Sequence, residues 1–329
     1  MNLEGMHRRA AIIKAVRAFF DGRGFLEVDT PVAVTAPAPE PQIEAPATAL
    51  RVGHEVQRRF LQTSPELMMK RLLAAGVTRA YQIAPVFRDR DFTSCHRPEF
   101  RLLEWYRRDA GWQELLTDCE GLLAAAATAA GLGVRIPYQG KSIDLQPPFR
   151  RLSVEAAFVQ HAGFSILEAQ SVEGLQARLT ATGVRFAADD TWDDLFHRVF
   201  LTRVEPEIVA DPKPVFLTHY PAPLAALARL DPDDPRASER FELYAGGLEL
   251  ANGFGELTDP GLQRRRFADD RARRRRLQLA DYPFDERFLA ALATLPPSAG
   301  IALGVDRLLM LLFDAADIDR VAFIPWSES

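Results

Sequence analysis

Phe87-Arg88, His96-Arg97-Pro98-Glu99-Phe100 and Leu103-Glu104-Trp105-Tyr106 fall within one stretch of 20 residues, 87–106. The apolar pattern predicts strands over Tyr81 to Arg88 and Phe100 to Tyr106, joined by a polar loop from Asp89 to Pro98. Successive strand side chains point to opposite faces, so Glu104 and Tyr106, two apart, share one. A carboxylate beside a phenol makes a cage for an ammonium group. Arg88, at a strand end, offers a planar fork of donors suited to phosphate oxygens. Taken singly, each of these residues would also suit an ordinary hairpin with a surface ion pair.

Two further stretches bear on the same chemistry. Glu249-Leu250-Ala251-Asn252-Gly253-Phe254-Gly255-Glu256 brackets an Asn-Gly segment with two carboxylates. Mg²⁺ takes few protein ligands and keeps its waters and phosphates, so such a pair suits it; a polar turn after a strand is the bland alternative. Gly300-Ile301-Ala302-Leu303-Gly304-Val305 alternates small residues, which lets a flat base approach the backbone. Arg307 follows at a helix start, where phosphate is welcome.

The surrounding pattern is regular. Arg8 to Phe20 carries Ile12, Ile13, Val16, Phe19 and Phe20 at helical spacing, and Phe25 to Val28 reads as a short strand. Ser64-Pro65 predicts an N-cap with proline at the first helical position of a helix ending near Ala75. Further helices are expected over Trp112 to Ala130, Arg264 to Gln278 and Asp306 to Asp314, and strands over Phe241 to Tyr244 and Leu248 to Phe254. Residues 134–234 alternate short pieces with proline-rich breaks and carry no chemical motif.

Composition narrows the class. A chain of 329 residues, 47% hydrophobic and 26% charged, can bury a sizeable globular core. No apolar run reaches a membrane span and the start lacks a signal-peptide pattern, so a cytoplasmic location without membrane contact is expected. Cys95 and Cys119 form no ligand or disulfide pattern. The formal net charge of −5 gives no global basic footprint for nucleic acid. The arginine-rich run Arg264 to Arg276 is read as a solvated helix face, with Asp269–Arg273 and Asp270–Arg274 as i,i+4 pairs.

In this order, the segments Arg8 to Pro31, Phe87 to Tyr106 and Gly300 to Arg307 resemble the three signature motifs of class II aminoacyl-tRNA synthetases. Thr63 to Leu72 and Glu249 to Pro260 look like the lysyl branch. With no room for an anticodon-reading barrel ahead of the first motif, the chain resembles the elongation factor P–lysine ligases. Ser64 and Ala302, where lysyl-tRNA synthetases usually have alanine and glycine, agree.

The resemblance implies an α+β fold, an antiparallel sheet flanked by helices, with residues 1–329 as one catalytic domain and a less characteristic middle at about 134–234. It implies ATP and Mg²⁺ as cofactors and a lysine-like substrate, (R)-β-lysine favoured, activated as its adenylate. By the same resemblance the acceptor is expected to be a lysine side chain of elongation factor P and the chain a homodimer, with tRNA not expected. Arg88 and Arg307 become the catalytic pair. Arg90, His96, Arg97, Phe100, Glu249, Leu250 and Gly304 join them around ATP. Ser64, Glu66, Glu104, Tyr106, Glu256 and Ala302 surround the amino acid, and Glu249 and Glu256 hold the metal. Arg90 departs from the family's usual Glu, which accepts from the adenine amino group, and Arg97 from the more frequent Asn. Two other readings are an enzyme charging tRNA or another acceptor, and a non-catalytic paralogue that binds lysine-like ligands.

Overall fold

The computed structural model describes residues 2–328. The chain divides into two compact units, Met1–Gly111 with Thr258–Ser329, and Trp112–Leu257. The fold is α+β, as expected, with strands flanked by helices. Parallel pairings of Leu26–Glu27 and of Arg150–Ser153 make its strand arrangement mixed where an antiparallel one was expected.

In the first unit, strands Leu26–Glu27, Arg79–Phe87, Glu99–Arg108 and Ser298–Gly304 lie in that order. Gln82 stands opposite Glu104 and Val86 opposite Phe100. On the other side Ala302 stands opposite Glu104 and Gly300 opposite Tyr106. Opposed residues share a face. One face therefore gathers Phe100, Leu102, Glu104, Tyr106, Ala302 and Gly304, and the reverse face gathers Tyr81, Trp105 and Ile301.

The helix Leu3–Asp21 covers the reverse face. It starts at Leu3 rather than Arg8 because the Asn2 side chain caps it, accepting from Gly5 N at 2.9 Å. Its buried stripe is Ile12, Val16, Phe19 and Phe20. The Phe20 ring stacks on Tyr81 at 4.7 Å and meets Trp105 at 5.3 Å. Burying one such ring stabilises the unit by roughly 1.5–3 kcal/mol, which fixes the helix and leaves the opposite face for chemistry.

The arginine-rich helix Pro260–Arg276 begins at Asp259, whose side chain accepts from Leu262 N. Its charges are largely engaged within the unit. Arg264 pairs with Glu286, and Arg271 and Arg275 pair with Asp281. Arg274 is fully buried and donates to the carbonyls of Glu40, Ile43 and Ala280. It is a pin for the loop ahead of the Ala47–Val52 strand, not the i,i+4 partner of Asp270 expected from spacing.

The second unit carries strands Arg150–Ser153, Val215–Thr218, Arg240–Ala245 and Leu248–Gly255 as successive neighbours. The stretch without motifs is a packing device. Helices Val154–His161, Val172–Thr182 and Trp192–Val199 close around an aromatic stack in which Phe196 lies 5.0 Å from Phe158 and 5.6 Å from Trp192. Among the described residues no helix is long and apolar enough to cross a membrane. Both cysteines are free thiols.

Candidate active site

Glu104 lies on the sheet face of the first unit opposite the helix Leu3–Asp21 and is fully buried. Ser64 Oγ donates to its Oε1 at 2.6 Å, and the Tyr106 hydroxyl donates to its Oε2 at 2.8 Å. The pairing of Glu104 with Tyr106 read from their two-residue spacing is thus present as a hydrogen bond. Ser64 does more than the helix cap its sequence suggested. It accepts from Glu66 N at 3.0 Å while its proton goes to Glu104, and Pro65 takes the cap position with no side-chain bond. Glu66, one turn from Lys70 on the helix Glu66–Ala74, receives the buried Lys70 ammonium at 2.5 Å.

Burial, followed by the nearby Glu66 carboxylate, pushes the Glu104 pKa up to about 8; Ser64, Tyr106 and Lys70 oppose the shift. The sign for stability follows. Between an unfolded value near 4.5 and a folded value of about 8, the native state holds a proton that the unfolded chain has lost. Stability at this site therefore declines as pH rises through that window. Removing the ionisable group removes the decline. Glu104→Gln is expected to gain melting temperature relative to the parent between about pH 5 and about pH 8.5. Thermal unfolding of both proteins across that range checks it, and parallel curves would contradict the assignment.

The residues expected to meet the nucleotide lie toward the far end of the same face. The Arg88 backbone N–H is fixed by the Pro98 carbonyl at 2.9 Å. Its guanidinium carbon stands 5.2 Å from the Phe100 ring centroid, and its Nε is buried without a hydrogen-bond partner. A cation over an aromatic ring, with a donor unspent, is suited to an incoming anion attached to a flat base. His96 Nε2 accepts from Arg307 Nη2, and His96 Nδ1 lies 2.7 Å from Thr93 Oγ1, so the loop histidine and the helix arginine form one cationic group. Cys95 adjoins it, and its bond with His96 lowers the thiol to about 7. At Gly304 the nearest atoms that a β-carbon would meet belong to the Arg307 side chain, at 3.6 Å, an ordinary contact distance.

The two residues that depart from the family pattern are engaged elsewhere. Arg90 is 73% exposed, lies in the left-handed region at φ 69°, and pairs with Glu44 at 3.4 Å. Arg97 is pinned by Asp317 at 3.0 Å and Asp319 at 2.7 Å. It also donates to the Thr93 and His96 carbonyls, so it holds the loop that presents His96. Its side chain is 8% exposed, but Asp317 and Asp319 are 42% and 28% exposed, which discounts the pairs. Arg97→Ala is expected to cost about 1–2 kcal/mol of unfolding free energy, measured by denaturant titration. An unchanged midpoint would assign Arg97 to ligand binding instead.

In the second unit, Glu249 and Glu256 are seven apart, which a regular strand would send to opposite faces. The register corrects this. Glu249 opposes Tyr244 while Ala251 opposes Leu243, so Leu250 is an extra residue in the strand and the alternation resets. Glu249, Asn252 and the strand end at Glu256 thereby share a face with Glu242 and Tyr244. The Leu250 side chain is buried, leaving only its main chain for a ligand. Gly255 admits no side chain, since a β-carbon there would lie 1.9 Å from Glu239 Oε2.

Glu242 is the acidic residue that the sequence reading missed. It is 6% exposed, receives Arg240 Nη2 and the Tyr244 hydroxyl at 2.7 Å each, and also takes the Tyr220 hydroxyl. Burial, then Glu242, raises the pKa of both phenols. Nothing in an alternating Phe-Glu-Leu-Tyr strand distinguishes this Glu from an exposed one. Glu242 and Glu249 are diagonal neighbours on this face, beside an Asn252 Oδ1 that is buried without a hydrogen-bond partner, and that donor chemistry suits a hard cation, whereas Glu256 lies roughly 20 Å along the strand from Glu249, too far to share one ion. Among the described residues no group of three or more His, Cys, Asp or Glu is placed to hold a metal ion.

Comparison with known proteins shows the family. Residues 2–328 match the family described as tRNA synthetases class II (D, K and N). The elongation factor P–(R)-β-lysine ligase of Haemophilus influenzae strain PittGG is 38% identical over 325 residues, 97% of this chain and 94% of the relative. That of Hamiltonella defensa is 38% identical over 328 residues, 98% of this chain and 95% of the relative. The lysine–tRNA ligase of Pelotomaculum thermopropionicum is 35% identical over 327 residues, 98% of this chain but only 63% of the relative. Similar throughout to ligases of nearly its own length, and to only part of a tRNA ligase, the chain belongs to the class II tRNA synthetases of the D, K and N type and, within them, to the elongation factor P–(R)-β-lysine ligase family.

Proposed function

We propose that this enzyme uses ATP to activate a lysine-like amino acid, (R)-β-lysine in the first place, as its adenylate. It then transfers the acyl group to a lysine side chain of elongation factor P. The observation that carries the reading is the single sheet face shared by the Arg88–Phe100 pair and the buried carboxylate Glu104, with small residues at Ala302 and Gly304 beside them. Names borne by relatives at 38% identity support the amino acid and the acceptor.

Each side chain then has a task. Glu104 and Tyr106 hold the side-chain ammonium, and Glu66 and Ser64 orient the other amine. Phe100 stacks on adenine, Arg88 binds the α-phosphate, and His96 with Arg307 meets the outer phosphates. The substrate carboxylate attacks the α-phosphorus, the bond to the pyrophosphate oxygen breaks, and Arg88 stabilises the charge that grows there. The acceptor amine next attacks the mixed anhydride and AMP departs. Glu249, joined by its strand neighbour Glu242, would hold Mg²⁺, which supplies charge neutralisation for a departing pyrophosphate, and Glu256, expected beside Glu249 at the metal, is left to the amino acid.

ATP–pyrophosphate exchange with α-lysine, (R)-β-lysine, (S)-β-lysine and ornithine tests the activation step. Transfer assays with elongation factor P and with bulk tRNA test the acceptor. Exchange led by (R)-β-lysine, with label passing to the protein and not to tRNA, is the expected outcome. Transfer to tRNA alone would move the chain to the synthetase reading, and no exchange with any diamino acid would leave only a binding role.

A further inference from the structure

The charges around Glu104 do not balance. Facing it are Glu66 and Lys70 from the helix Glu66–Ala74, Tyr106 from its own strand and Ser64 from the preceding turn. The neighbouring strands contribute Gln82 and Ala302, both neutral. Lys70 is engaged with Glu66, while Glu104 receives neutral hydroxyls. Among the described residues two carboxylates thus share one ammonium, with Glu104 and Lys70 buried and Glu66 nearly so. Fully ionised, the set would hold an uncompensated negative charge, which a low-dielectric site removes by taking up a proton.

We infer that the free protein carries that proton on Glu104 and that the substrate's side-chain ammonium expels it, one proton leaving for each diamino acid bound. The inference rests on the reading of this pocket as the diamino-acid site. The balance is simple: a neutral carboxyl and an incoming ammonium become a carboxylate–ammonium pair, and the proton passes to solvent. A diamino acid with both amines protonated has net charge +1, so the exchange leaves the buried charge unchanged. Ser64 and Tyr106 are suited to both states, because a hydroxyl can accept from the neutral acid or donate to the carboxylate. The raised pKa of Glu104 agrees with this geometry. The exchange also selects. An amino acid with an uncharged side chain brings no cation, so the pocket keeps its proton and gains no ion pair.

Calorimetric titration of the intact protein with α-lysine and with (R)-β-lysine, in buffers of contrasting ionisation enthalpy, reads the proton count. Release of close to one proton per diamino acid is expected at about pH 7. The dissociation constant is expected to fall about tenfold per pH unit below about pH 8 and level off above it. Infrared difference spectra give a readout that does not depend on affinity. A protonated-carboxyl band should be present in the free protein, absent in free Glu104→Gln, and lost when lysine is added to the parent. Tight binding with no proton release and no such band overturns the exchange but leaves the substrate assignment standing. Absence of binding by every diamino acid overturns both.

Discussion

Arg88→Ala is expected to slow lysine-dependent ATP–pyrophosphate exchange by about 10²–10³-fold, mainly through kcat, while the protein melts as the parent does. The two halves of that expectation come from different observations. Arg88 holds its place through its main chain, whose N–H is bound by the Pro98 carbonyl, so the register of the hairpin survives loss of the side chain. The guanidinium contributes a stacking contact with Phe100 at 5.2 Å and a buried Nε without a hydrogen-bond partner. A buried donor left unspent usually costs about 1–3 kcal/mol, so its removal should not weaken the fold. Its use lies in the transition state, where charge accumulates on the α-phosphoryl oxygens as the substrate carboxylate attacks. An interaction stronger there than in the ground state lowers kcat when deleted and leaves KM for lysine nearly unchanged. Exchange at the parent's rate in a folded Arg88→Ala protein would remove Arg88 from the reaction.

Such a split between fold and chemistry was partly visible in the sequence, and the reason it was only partly so is physical. Periodicity tells which residues of one element share a face. It placed Glu104 with Tyr106 and found the helix whose Phe20 closes the reverse side. It does not tell where a strand gains a residue. Glu249 and Glu256 were named together although regular alternation separates them, and the extra residue at Leu250 that puts them on one face shows only in the register.

Partners distant in sequence are equally hidden. Arg97 finds Asp317 and Asp319 more than 200 residues away, and Arg274 spends its donors on carbonyls near Glu40. A local pattern assigns such arginines to ligands or solvent by default. Glu242 was lost for the opposite reason: a carboxylate in an alternating strand looks exposed until Tyr220, Tyr244 and Arg240 are folded onto it.

Glu104→Gln should act on the other side of the kinetic ledger from Arg88→Ala. The variant keeps an oxygen acceptor for a hydroxyl, and in the free protein it resembles the neutral acid, so neither Ser64 nor Tyr106 has to move far. What it cannot do is ionise when an ammonium arrives. Losing one partner of a desolvated, hydrogen-bonded charge pair costs about 2–5 kcal/mol, which is about 30-fold to several thousand-fold in affinity. That ammonium lies remote from the reacting carboxylate and is bound alike in the ground and transition states. The loss should therefore fall on KM for lysine, with kcat at saturation changed by less than about threefold. Selectivity should fall with it, because the parent gains from the cationic side chain an ion pair that the variant does not form. Exchange assays with lysine and methionine, each carried to saturation, measure both quantities. A kcat defect with unaltered KM would place Glu104 in the chemical step, and unaltered values of both would take it out of the amino-acid pocket.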